Sequence, residues 1–116
     1  MSYQGSCHCG AVTFTVNAEL PTQALSCNCS ICRRNGSLLT FVSADQFQLH
    51  SGSDQLTTYA FNKHKVQHQF CKICGVQSFS SGQKQDGTVA YAVNLRSVPE
   101  ADLDALVLKK HDGAAA

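Results

Sequence analysis

A chain of 116 residues suffices for one domain and not for two, so every motif shares one core. With 43% hydrophobic residues, no Trp and six Phe, that core is moderate, and a chain this small gains much from a metal or covalent staple. Nine Lys and Arg against eight Asp and Glu leave a net charge of +1, with basic residues grouped only at Arg33-Arg34, Lys63 and Lys65, and Lys109-Lys110. This excludes the basic stripe of a nucleic-acid-binding protein.

The N-terminus, Met1-Ser-Tyr-Gln-Gly-Ser-Cys7, has neither a basic start nor an apolar run. No stretch approaches the roughly 20 apolar residues of a membrane span, so the expectation is a cytoplasmic protein with no membrane contact. In that reducing compartment short-spaced thiols serve metal rather than disulfides, and an odd count of seven also argues against a closed disulfide framework.

In chain order, apolar and polar residues alternate over Ala11–Val16, Leu38–Val42, Phe47–Leu49, Leu56–Phe61, Val66–Phe70, Val76–Phe79 and Val89–Val93, which predicts strands. Turn-rich pieces separate them, such as Asn35-Gly36, Ser51–Asp54 and Gln85–Gly87. Their spacing suits an antiparallel meander rather than alternating strand and helix. The expected fold is mostly β, with at most one short helix or turn near the C-terminus over Val98–Leu106, where Pro99 and acidic residues suit a first turn. The domain spans 1–113, and residues 114–116 form a tail within Gly113-Ala-Ala-Ala116, expected to fray and to carry no function.

The seven cysteines fall into three clusters. In Cys7-His8-Cys9-Gly10, residues two apart on an extended backbone share a face, so Cys7 and Cys9 reach one ion while Gly10 turns the chain. Cys71-Lys-Ile-Cys74-Gly75 has the pattern of a tight zinc knuckle. Together these supply four thiolates for a closed structural zinc. Between them, Cys27-Asn-Cys29-Ser-Ile-Cys32 supplies three, an incomplete tetrahedron, and an open fourth position is what separates catalytic from structural zinc. Two zinc ions per chain are therefore expected, with catalysis at Cys27, Cys29 and Cys32. The competing readings are one structural zinc with the middle cysteines merely buried, and a zinc-stabilised binding or interaction module. A redox pair at Cys71 and Cys74 would need a βαβ context that is absent.

Gly5-Ser-Cys-His-Cys-Gly-Ala-Val12, Cys27–Cys32 with Arg33 and Gly36, Phe70–Gly75, Val93-Asn-Leu-Arg96 and His111-Asp-Gly113 together resemble the glutathione-dependent formaldehyde-activating enzyme family, which includes centromere protein V. The motifs occur in family order over nearly the whole chain, which ends soon after His111-Asp-Gly113 without the long C-terminal extension associated with the named enzyme. The resemblance implies a β-tent fold. It matches Cys7, Cys9, Cys71 and Cys74 to a structural zinc, and Cys27, Cys29 and Cys32 to a catalytic one. It also implies a carbon-sulfur lyase joining glutathione and formaldehyde as S-hydroxymethylglutathione, or acting on a related thiol-aldehyde adduct.

The chemistry asks for zinc because the thiolate, not the thiol, is the nucleophile and a free thiol ionises above neutral pH. An open position offers three uses: holding a substrate thiolate, polarising a carbonyl oxygen, or holding a water as acid or base. Three protein thiolates on a dication leave a net charge of −1, which nearby cations offset. Arg33 directly follows the last ligand and suits a substrate carboxylate, with an ordinary surface role as the alternative; Arg34 is expected to be solvated. Among the histidines, His8 is pinned between ligands and His50 and His64 fall in apparent turns. His68 and His111 are the acid-base candidates, His68 with a structural or surface role as its default.

Overall fold

The computed structural model describes residues 1–61 and 66–115, so Asn62, Lys63, His64, Lys65 and Ala116 lie outside the described residues. Its strands are β1 (Tyr3–Ser6), β2 (Thr13–Val16), β3 (Gln23–Cys27), β4 (Leu39–Ser43), β5 (Phe47–Ser51), β6 (Leu56–Tyr59), β7 (Val66–Cys71), β8 (Phe79–Gln83), β9 (Val89–Asn94) and β10 (Val107–His111). The α-helix found among the described residues, α1, covers Ser30–Asn35. No helix among them is long and apolar enough to cross a membrane.

The fold is mostly β, as the alternation predicts, and the differences have local causes. Strand β8 begins at Phe79 rather than Val76, because Gly75 turns at φ 79° and the Cys71 N–H donates to the Val76 carbonyl, keeping residues 71–76 in a knuckle. Val98–Leu106 forms turns, one of the two outcomes expected for it. Its bonds run from the Ala101 N–H to Val98 and from the Ala105 N–H to Asp102, and the Asp102 carboxylate accepts from the Asp104 N–H. Such side-chain capture of the backbone competes with helix formation. The helix instead follows the middle cysteines, buries none of its residues and therefore has no apolar periodicity to announce it. His50 lies within β5 rather than in a turn, its Nε2 at 2.6 Å from the Thr15 Oγ1.

Three strands form one sheet in the order β1-β2-β5, and seven form another in the order β10-β3-β4-β9-β8-β7-β6. Consecutive strands pair antiparallel as a meander requires at β1-β2, β3-β4, β6-β7, β7-β8 and β8-β9, but β2 pairs with β5 and β4 with β9 across longer connections, and β10 lies parallel to β3, with His111 opposite Cys27. Between the sheets, Phe14 stacks on Phe47 at 5.2 Å and Phe47 on Tyr91 at 4.1 Å, with Phe79 meeting Phe14 edge-on at 5.8 Å. Val16, Val93 and Leu95 close this core and are fully buried. Each core strand turns alternate residues inward, so Phe79, Tyr91 and Val93 face the aromatic cluster. Ser80, Gly82, Ala90 and Ala92 line the opposite face of the large sheet.

Candidate functional site

The four outer cysteines converge as their spacing predicts. Cys7 ends the first segment after β1 and Cys71 ends β7, so the cluster of Cys7, Cys9, Cys71 and Cys74 ties the small sheet to the large one. Gly10 and Gly75 take φ of 84° and 79°, a left-handed geometry that glycine adopts without strain, and each closes a knuckle. The Val12 N–H donates to the Cys7 Sγ at 3.3 Å. The Cys9 Sγ lies 3.6 Å from both the Cys7 Sγ and the Cys71 Sγ, and all four sulfurs fall within 4.8 Å of one another. A zinc-sulfur bond of about 2.3 Å gives a tetrahedral edge of about 3.8 Å, so this donor set fits one zinc.

Its electrostatics point the same way. N–H groups of Cys9 and Val76 draw the Cys74 thiol down to about 6. The Ala11 N–H pulls Cys9 down too, but burial and the neighbouring thiols outweigh it and leave Cys9 at about 11. Four adjacent thiols cannot all ionise against one another, and a dication removes that obstacle.

Cys27, Cys29 and Cys32 also converge, within 4.8 Å of one another. Cys27 ends β3, and Cys29 is the N-cap of α1, its sulfur accepting from the Cys32 N–H at 3.5 Å. The Cys29 N–H donates to the Cys27 Sγ at 3.4 Å. Gly36, at φ 69°, ends the helix by donating its N–H to the Cys32 carbonyl. Burial raises Cys29, but the Cys32 N–H and the thiols of Cys32 and Cys27 reverse this and lower it, whereas burial and Cys29 push Cys32 up to about 12. The three sulfurs thus have a geometry able to hold a metal with one position open.

Two concavities meet at this triad. A cavity of about 520 Å³ extends over the large sheet from Cys27, Cys29 and Cys32 to His68, with apolar walls that include Leu39 and Phe41. A groove of about 640 Å³ on the other side carries Arg33, Arg96, Lys110 and His111 beside Cys27 and Cys32. His111 borders both, as its pairing opposite Cys27 requires. His68 is half-buried in the cavity wall, stacked on Phe61 at 5.4 Å, and burial lowers its pKa. Arg34 faces away and donates to its own helix at Ser30, and His8 is exposed beside the outer cluster.

Three supports of the triad are invisible in local sequence. The Arg96 Nε donates to the Gly36 carbonyl at 2.8 Å, and the Asn94 side chain accepts from the Leu38 and Arg96 N–H groups. Asn28 donates to the Asp112 carboxylate at 3.0 Å and accepts from the Ala114 N–H at 3.0 Å. Gly113 packs so closely that a Cβ there would lie 2.6 Å from the Cys27 Sγ. The start of the expected tail is therefore folded against the middle cysteines. The motifs Val93–Arg96 and His111–Gly113 were the available signal: both brace residues 27–38.

A mostly β domain that gathers its thiols into one four-sulfur and one three-sulfur cluster defines a thiol-rich, metal-competent protein with a pocket at the open cluster. The chain belongs to the family described as glutathione-dependent formaldehyde-activating enzyme, whose profile matches residues 2–104. Among solved structures it is similar to a Rhodobacter sphaeroides protein determined as a structural genomics target. That protein is 29% identical, with 91% of this chain and 99% of the other covered and a TM-score of 0.75.

Proposed function

We propose that this protein is a zinc-dependent carbon-sulfur lyase-type enzyme that reversibly joins a small thiol to an aldehyde, glutathione and formaldehyde being the pair its family name supplies. The observation that carries this reading is the three-sulfur cluster placed where an apolar cavity and a cationic groove meet. Cys7, Cys9, Cys71 and Cys74 hold the structural zinc, and Cys27, Cys29 and Cys32 hold the catalytic one. Zinc at the second cluster supplies Lewis acidity and makes a thiolate available at neutral pH.

Arg33, Arg96 and Lys110 give the groove the charge to receive the carboxylates of an anionic thiol, and they offset the net negative charge of three cysteine thiolates on a dication. Arg96 is already oriented by its bond to Gly36, so little freedom is lost when it binds. In the reaction the substrate sulfur forms a bond to the carbonyl carbon, and the π electron pair moves to oxygen. The thiol proton leaves to solvent and an equivalent proton reaches that oxygen. His68, kept neutral by burial, and His111, at the junction of the two concavities, are the residues placed to hold it.

The test is exchange spectroscopy on formaldehyde with glutathione, with the uncatalysed addition subtracted and two zinc ions per chain verified first. Acceleration that disappears in Cys29→Ser supports the reading. No acceleration at full zinc occupancy defeats it and leaves a zinc-stabilised binding module.

A further inference from the structure

Resting on the thiol-aldehyde reading, we propose that the carbonyl substrate carries an apolar body, an aromatic ring or an alkyl chain of several carbons, which occupies the cavity over the large sheet. Formaldehyde fills on the order of 30 Å³, about the share of one water in the liquid. The cavity holds about 520 Å³, within the range of pockets that enclose whole ligands.

Cross-strand register creates this space. His68, Ser80, Ala92 and Phe41 lie in one row across β7, β8, β9 and β4, and Val66, Gly82 and Ala90 lie in the next. Small side chains occupy the two middle strands and larger ones flank them, so the rows form a trough. Phe41 and Val66 remain 61% and 43% exposed at its sides. Apolar surface of this kind, concave and continuous with a reactive cluster, is unfavourable in water and is covered by an apolar ligand.

Ser80 places one hydroxyl on the floor of the cavity. The residue is 8% exposed and lines the cavity, and its hydroxyl has no hydrogen-bond partner among the described residues. That hydroxyl opens onto the cavity, so an oxygen on a bound molecule can take the place of water there. Charge divides the site in the same sense. The cationic side chains gather in the groove, where an anionic thiol belongs, while Lys84 is the cation found among the described residues of the cavity. The carbonyl partner therefore comes from the apolar side. Its addition balances as before, with one carbon-sulfur bond formed and one proton ending on the former carbonyl oxygen.

The test uses the full chain loaded with zinc. 2-Phenylethanol, an unreactive stand-in for phenylacetaldehyde, is titrated while backbone amide chemical shifts are followed. Saturable shifts at Leu39, Phe41, Ala90 and Ala92 are expected, weakened at least tenfold in Ala90→Phe, which fills the trough. Phe41→Ser, at an exposed position, provides a second variant and is expected to weaken binding about threefold to tenfold, in keeping with loss of one apolar wall. In parallel, glutathione exchange is compared for phenylacetaldehyde and formaldehyde. The expected preference is at least tenfold for the aryl aldehyde and collapses in Ala90→Phe. Absence of saturable shifts, or shifts confined to other surfaces, overturns the proposal even where formaldehyde is turned over. Binding without turnover of either aldehyde defeats the thiol-aldehyde reading, and with it the assignment of the occupant as a carbonyl compound.

Discussion

Gly113→Ala tests whether the C-terminal segment holds the middle cysteines in place. The added Cβ would stand 2.6 Å from the Cys27 Sγ and 3.1 Å from the Cys29 Cβ. The first distance is about 0.8 Å short of the 3.4 Å at which ordinary contact begins. Metal-ligand distances tolerate about 0.2 Å, so Cys27 cannot absorb that displacement and still bind well. Either the sulfur moves or residues 113–115 lift away, breaking the bond from the Ala114 N–H to Asn28. Losing that bond costs about 1 kcal/mol, or roughly 4 °C in Tm for a domain of this size. Disturbing the support of a ligand costs about tenfold to a hundredfold in metal affinity. Chelator competition should accordingly show one zinc per chain bound at least tenfold more weakly, the other unchanged, and a melting transition lowered by a few degrees. Wild-type affinity at both sites would refute the packing argument.

Two further outcomes separate the roles of individual residues. Cys71 is fully buried where the two sheets join, so Cys71→Ser should abolish the native circular dichroism spectrum under conditions where Cys29→Ser keeps it and loses one zinc; equal loss in both would make both sites structural. Burial holds the folded-state pKa of His68 below its ordinary value, so the unfolded chain takes up that proton first as pH falls. The stability His68 contributes is complete above about pH 6.5 and is lost below it, so the wild-type Tm should fall more steeply than that of His68→Gln between pH 7 and 5; parallel curves would refute this.

The two cysteine clusters are legible in the sequence because knuckles are local. Cys7 with Cys9, Cys71 with Cys74, and the three middle cysteines each lie within six residues, and Gly10, Gly36 and Gly75 mark where the chain must turn with positive φ. Period-two alternation likewise exposes β2, β4, β5, β6, β7 and β9, whose inward residues pack the aromatic core. It misses β1, β3 and β10 and meets β8 only at Phe79. Every residue of β10 is exposed, so no buried face imposes a pattern on Val107–His111.

What tertiary structure alone decides is how these local pieces meet. The parallel return of β10 beside β3 brings His111 opposite Cys27 and Gly113 onto its sulfur, across more than 80 residues of chain. Cross-strand register sets Ser80, Gly82, Ala90 and Ala92 side by side, so small residues that look unremarkable singly become the floor of a cavity. Ligand spacing is a property of a few consecutive dihedral angles, which sequence states directly. Register and parallel pairing follow from burying the whole aromatic core at once, and no short segment carries that information.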